Sequence, residues 1–293
     1  MCQWWKRVEL TTAPPAVLTI AGSDSGGGAG IQADLRTFFA CGVHGMTAVT
    51  AVTVQNTLGV TGFTELPPEV VAAQIEAVAA DIGVRAAKTG MLASAGIIAA
   101  VADACERVHI GRSGSTPFVV DPVAASMHGD PLLREDALDA LRRRLFPMAT
   151  LVTPNLDEVA LLTGITVTDR ASQRKAAEAL HAFGPQWALV KGGHLWTDPE
   201  CVDLLYDGRR FVELPGPRYD TKHTHGSGDT IASSITSALA KGADVPEAVR
   251  FGKEFVVRSV RDAYPLGGGV GPVSPFWRLD GALPELELPE LGL

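Results

Sequence analysis

The chain has 293 residues, 46% of them hydrophobic, enough for a large core in one big domain or two small ones. Acidic residues outnumber basic ones 33 to 25, and the net charge of −8 argues against nucleic acid or an anionic membrane as a general partner. An anionic substrate would therefore need locally gathered positive potential. Cys2, Cys41, Cys105 and Cys201 lie far apart with no Cys-x-x-Cys pair, which points away from a zinc site or disulfide framework and towards reduced thiols in a cytoplasm. No run approaches the ~18 apolar residues of a spanning helix, and Met1 to Pro15 holds no apolar core of secretory length. Without a long polar linker in the middle, one domain is expected over residues 16–275, between an N-terminal appendage (1–15) and a C-terminal tail (276–293).

Ala16 to Ala21 is an apolar strand, Gly22 to Gly30 a glycine-rich loop and Ile31 to Ala40 a helix, so the chain opens with a β-loop-α unit. A Val- and Thr-rich strand is expected over Met46 to Val54, then a loop holding Gln55-Asn56-Thr57, then a helix from Pro67-Pro68 to about Ile82. Strands follow at Ala86 to Thr89, Pro117 to Asp121, Thr150 to Thr153 and Trp187 to Lys191. Helices are expected at Ala95 to Arg107, Glu135 to Phe146, Leu156 to Leu162 and Ala171 to Phe183. A hairpin over Val202 to Leu214 and helices at Asp229 to Lys241 and Pro246 to Ala263 complete the pattern. Apolar strands alternating with helices predict an α/β fold, a mainly parallel sheet covered by helices on both faces. Ligands of such sheets bind beyond the carboxyl ends of the strands, where Asp24, Gln55, Gly90-Met91, Asp121, Asn155 and Lys191-Gly192-Gly193 fall.

Thr224-His225-Gly226-Ser227-Gly228-Asp229 runs straight into a helix. Glycines let several N–H groups point outward together, and the helix dipole adds about half a positive charge there, which makes a cradle for phosphate. Asp229 is then either a helix cap or the acceptor of a proton from an attacking hydroxyl. Other signatures fail. Gly26 and Gly28 supply Gly-x-Gly, but Ile31 stands where a dinucleotide fingerprint needs its third glycine. The one Gly-Lys pair, Gly252-Lys253, has Glu247 and Glu254 where a P-loop needs Gly and Ser or Thr, and Ser227 lacks the flanking glycines of a hydrolase elbow. The Gly22 to Gly30 loop is otherwise a tight strand-to-helix turn, and Asp34 beyond it could be a solvated carboxylate offsetting the helix dipole. Asn155-x-x-Glu158 reads either as a capping box or as a contact to a hydrated Mg²⁺ that bridges nucleotide phosphates, with Asp121 as a second acidic contributor. Lys191 and Gly193 would cover the nucleotide. His194, His223 and His225 sit beside glycines in loops, which favours hydrogen bonding over metal ligation.

Taken together, Thr19 to Asp34, Gln55-Asn56-Thr57, Lys88-Thr89-Gly90-Met91-Leu92, Asp121-Pro122-Val123, Gly129-Asp130-Pro131-Leu132-Leu133, Thr153-Pro154-Asn155, Lys191 to His194 and Thr224-His225-Gly226-x-Gly228 resemble the hydroxymethylpyrimidine/phosphomethylpyrimidine kinases of thiamine biosynthesis, in the ribokinase superfamily. The likeness runs from Val17 to Pro275. It implies a ribokinase-like three-layer sandwich, usually homodimeric, that uses ATP and Mg²⁺ to phosphorylate 4-amino-5-hydroxymethyl-2-methylpyrimidine and then its monophosphate. By motif match Asp34, Gln55 and Met91 line the pyrimidine pocket, Gly226, Ser227 and Gly228 form the anion hole, and Asp229 takes the proton-accepting place. There are three departures: Asp229 stands where this branch commonly has Cys, Met127-His128 where it has Lys-Ser, and His223 where it has Asn. The Asp makes vitamin B6 kinase the nearest rival, and a non-catalytic protein that binds a thiamine precursor is the rival from another class.

Overall fold

The computed structural model describes residues 13–112, 114–124, 133, 135–193, 195 and 198–279. Most of both terminal appendages, residues 129–132, Met127-His128 and His194 lie outside the described residues. Among the described residues nine strands form one sheet: β1 (Ala16–Ser23), β2 (His44–Asn56), β3 (Gly59–Glu65), β4 (Ala86–Thr89), β5 (Phe118–Val120), β6 (Leu151–Val152), β7 (Trp187–Val190), β8 (Asp203–Tyr206) and β9 (Phe211–Leu214). Their order is β3-β2-β1-β4-β5-β6-β7-β8-β9. The run from β2 to β7 is parallel, and β3, β8 and β9 add antiparallel margins. The chain steps from β1 to β2 on one side and returns to β4 on the other. That reversal opens a crevice beyond the carboxyl ends of β1 and β4.

The described α-helices that cover the sheet are α1 (Gly30–Ala40), α2 (Pro68–Asp81), α3 (Ala95–Arg107), α4 (Glu135–Ala140), α5 (Leu156–Thr163), α6 (Arg170–His181), α7 (Ser227–Ala240) and α8 (Val245–Arg261). Successive strand residues point to opposite faces, and the core divides accordingly. Val17, Ala86, Val119, Leu151 and Leu189 pack with α1, α7 and α8, while Leu18, Ile20, Ala87, Val120 and Val190 pack with α2 to α6. Thr19 and Lys88 are register partners on the first of these faces. Both are fully buried among apolar neighbours, so each needs a polar partner from the helix above.

Two expectations change. The segment after β2 is strand β3, not loop, and Gln55 lies within β2; an edge strand of alternating exposure with two glycines carries little apolar periodicity. The helix expected over Glu135 to Phe146 stops as α-helix at Ala140, winds more loosely through Leu141–Leu145 and ends in a 3₁₀ turn, Phe146–Met148, around Pro147.

Candidate active site

Helix α7 begins at Gly226, whose φ of +77° places it in the left-handed region. A Cβ there would stand 2.1 Å from the Gly28 carbonyl oxygen, so both the torsion and the close approach of the two loops require glycine. No side chain caps the helix. The Ser227 amide turns back onto the Thr224 carbonyl at 3.1 Å, and the amides beside it are left for an outside acceptor, which is the arrangement of an anion site.

The cap reading of Asp229 fails because its carboxylate turns away from its own helix. Oδ2 accepts from the Gly30 amide at 3.1 Å, and Oδ1 stands 3.3 Å from Lys88 Nζ. Lys88 also reaches Asp34 Oδ1 at 2.8 Å. Asp34 accepts further bonds from Thr19 Oγ1 at 2.6 Å and Ser233 Oγ at 2.5 Å. Asp34 is therefore not a solvated carboxylate: it is fully buried, in the second turn of α1, with both oxygens engaged. Burial works against a charged Lys88, but Asp34, Asp229 and Asp121 together hold its ammonium above the ordinary value. Burial, with Asp34 and Asp121 nearby, pushes the Asp229 carboxyl up to about 6 against the pull of Lys88 and the Gly30 amide. Its side chain keeps 14% of its exposure, so the acid is poised and reachable.

A second polar group lies at the ends of β5 to β7. Asp121 Oδ1 accepts from Thr153 Oγ1 at 2.9 Å and from Lys191 Nζ at 3.1 Å. A Cβ on Gly228 would lie 3.5 Å from Lys191 Nζ and 3.7 Å from Asp121 Oδ2. The start of α7 is thus flanked by two lysines, Lys88 and Lys191, which give an acidic protein its local positive potential. Asn155 and Glu158 form a complete capping box on α5. Burial pushes the Glu158 carboxyl up to about 7, Lys191 pulls it down and Asp121 raises it further. Two acids facing one ammonium favour an added cation. Among the described residues no cluster of three or more metal-ligating side chains exists, so the donor set suits a cation that keeps most of its water, as Mg²⁺ does.

The glycine-rich loop after β1 is no phosphate cradle. Asp24 occupies it: its carboxylate accepts from the amides of Gly26, Gly28 and Ala29, each at 2.8 Å. His225 Nε2 lies 3.1 Å from Asp24 Oδ2 and 3.4 Å from Gln55 Nε2. His223 accepts from the Gly271 amide, so both histidines serve as hydrogen-bonding groups. Met91 is buried beside Gly22, where a Cβ would lie 3.3 Å from its sulfur, and a Cβ on Gly90 would lie 3.7 Å from Asp229 Oδ1. Gln55, Met91 and residues 226 to 229 therefore share one crevice. At its far end Gly193 opens to solvent, its carbonyl bonded by Arg218.

The family model described as phosphomethylpyrimidine kinase matches residues 24–274. The chain belongs to that family. A hydroxymethylpyrimidine/phosphomethylpyrimidine kinase of Mycobacterium leprae is 62% identical over 91% of this chain and 96% of its own length. One of Streptomyces coelicolor is 55% identical over 91% and 96%. Among solved structures, a Bacillus subtilis pyridoxal kinase in complex with ADP superposes with a TM-score of 0.83 at 36% identity over 90% of this chain and 98% of that one. A Clostridium difficile phosphomethylpyrimidine kinase gives 0.71 at 40% identity over 82% and 97%. The α/β architecture with a large, mostly parallel sheet is common to both kinds of kinase. Reading residues one at a time missed Lys88 as the hub of the acid pair; the available signal was a lysine in a short strand of otherwise small or apolar residues, which must be paired to be buried.

Proposed function

We propose that this family member transfers the γ-phosphoryl group of ATP to the alcohol of 4-amino-5-hydroxymethyl-2-methylpyrimidine, and then phosphorylates the monophosphate, as the names of its relatives indicate for them. The observation that carries the reading is the uncapped start of α7 with Asp229 set between Lys88 and the Gly30 amide. The alcohol oxygen bonds to the γ-phosphorus as the bond to the β,γ-bridging oxygen breaks and ADP departs; the alcohol proton passes to Asp229. Amides of Gly226 and Gly228 receive the peripheral oxygens, while the Ser227 amide stays on the Thr224 carbonyl; charge spreads over those oxygens in the loose transition state, so positioning outweighs basicity. Lys191 adds charge from the nucleotide side. Asp121 and Glu158 would hold Mg²⁺, whose chemistry there would be to neutralise charge on the nucleotide phosphates. A cleft of about 350 Å³ is lined by Pro199, Arg218, Tyr219, Asp220 and Thr221, of which Arg218 bonds the Gly193 carbonyl, and we assign the nucleoside to it.

Gln55 faces the amino group and ring nitrogen of the pyrimidine, and Met91 gives a polarizable wall to the flat ring. Asp34 acts from beneath, through Lys88. We further assign the chain a ribokinase-like sandwich as one domain over residues 16–275, in a cytoplasmic homodimer. Leu35 and Phe39 on α1 and Val52 and Val54 on β2 are large apolar side chains left exposed, and a second copy would cover them.

The test is product analysis after incubation with the pyrimidine alcohol, ATP and Mg²⁺, against pyridoxal as the competing acceptor. Monophosphate followed by diphosphate is expected, with kcat/KM for the pyrimidine above that for pyridoxal. In the same assay Asp229→Asn should lower kcat about 10²- to 10⁴-fold, the range of general-base help. Because the folded Asp229 carboxyl lies above its ordinary value, it costs stability at any pH above that range, and the same variant should melt at a higher temperature than the parent at pH 7. Turnover of Asp229→Asn within a few-fold of the parent removes the assigned role.

A further inference from the structure

Gln55 can present its amide in either of two orders, and its neighbours decide which. As drawn, Oε1 lies 3.2 Å from Thr53 Oγ1 and Nε2 lies 3.4 Å from His225 Nε2. Each contact conflicts with a stronger one beside it. Thr53 Oγ1 has one hydrogen, already given to the Ser23 carbonyl at 2.9 Å, so towards Gln55 it can only accept. His225 Nε2 faces Asp24 Oδ2 at 3.1 Å. Although burial opposes it, hydrogen bonds from His225, Ala29 and Gly26 hold the Asp24 carboxyl below the usual range, so Asp24 is a carboxylate. A carboxylate accepts only, so His225 Nε2 must carry its hydrogen, and it then confronts the Gln55 NH₂ donor to donor. Turning the amide end for end resolves both conflicts at once. Oε1 then faces His225 Nε2–H as a second, longer acceptor of the hydrogen given to Asp24, and Nε2 donates to Thr53 Oγ1; amide order is assigned by such networks.

We propose that Asp24, acting through His225, and Thr53 are positioning residues that lock the Gln55 amide with its carbonyl towards His225 and its NH₂ towards Thr53. The inference rests on the pyrimidine kinase reading and adds the direction in which the ring is held. One carbonyl lone pair and one N–H remain for the substrate, in fixed order. The carbonyl end lies on the side of His225, which leads into Gly226 to Asp229. An amino group paired there with the ring nitrogen on the N–H end brings the carbon bearing CH₂OH, the amino carbon's neighbour, to the α7 side. The locked amide thus selects a ring with adjacent donor and acceptor, and rejects the pose that turns the alcohol away from Asp229.

The experiment compares kcat/KM for the aminopyrimidine alcohol with that for 5-hydroxymethyl-2-methylpyrimidine, which lacks the amino group, in the parent, Thr53→Val, Thr53→Ser and His225→Phe. The parent should favour the amino compound, because its locked carbonyl is left unpaired by the other. Thr53→Val and His225→Phe free the amide to turn and should each shrink that ratio about tenfold, the worth of roughly one hydrogen bond, with KM for ATP unchanged. Thr53→Ser keeps the acceptor and should restore the parental ratio. A merely structural role would depress both substrates and ATP binding together, leaving the ratio alone. A parent that discriminates, with both variants keeping its ratio, overturns the locked amide and leaves the kinase reading standing. A parent that phosphorylates neither compound overturns the kinase reading itself.

Discussion

Lys88 is the residue on which the chemistry of Asp229 turns. A carboxyl buried between Asp34 and Asp121 would hold its proton through neutral pH, and Lys88 at 3.3 Å is the main influence keeping it near 6. Below that value Asp229 is protonated and cannot take the alcohol's proton, so turnover should fall as pH drops through about 6. Replacing Lys88 with Met removes the opposing charge and leaves both carboxylates to raise Asp229 further. The acid limb of the kcat profile should move upward, by at least about one pH unit. The same change strands Asp34 without its cation, a loss on the order of 3–5 kcal/mol for one partner of a buried pair. Thermal melts and pH profiles on Lys88→Met check both effects; an unmoved acid limb would detach Lys88 from the proton transfer.

At the scale of elements, the site is built from loops that follow β1, β4, β5 and β7 and from the first turn of α7. Gly226 lies against Gly28, which holds the α7 turn onto the Asp24 loop. Gly226→Ala meets a backbone oxygen at 2.1 Å in a torsion that L-residues seldom adopt. The left-handed torsion alone costs about 1–2 kcal/mol, and the turn must shift, taking its amides off the phosphoryl position. Losing one such donor costs on the order of 10²-fold. Gly226→Ala should therefore lower kcat by about that factor and reduce the melting temperature, read by steady-state kinetics and circular dichroism. Parental kinetics in this variant would mean that the α7 amides do not touch the migrating group.

For the whole molecule, the exposed Val52 and Val54 lie on the strand that carries Gln55, and the exposed side chains of α1 belong to the helix packed beside it, so the proposed dimer would close over the same margin of the sheet. The parent is expected at twice the chain mass of 30.8 kDa in light scattering. Phe39, at 72% exposure, contributes little to the isolated fold, and Phe39→Asp should leave the melting curve within about 0.5 kcal/mol while shifting the mass to that of one chain. A parent that scatters as a single chain would remove the homodimer.

The β-α alternation, the mainly parallel sheet and the glycine turn that starts α7 without a side-chain cap were all legible in the order of residues, because they depend on local periodicity and on glycine next to a helix start. Strand β3 and the loosened turn at Leu141–Leu145 were not, since an edge strand with half-exposed residues and a helix continued by packing leave no periodic mark. Nor could local pattern say what Asp34, Asp24 or Lys88 would touch. Their ionisable partners lie 54 to 201 residues away in sequence, and only the crossing of α1 and α7 over β1 and β4 brings these buried groups within hydrogen-bonding distance of one another. Residue type announced the chemistry; the three-dimensional neighbours of each charged group decided which carboxylate is consumed by structure and which remains poised to accept a proton.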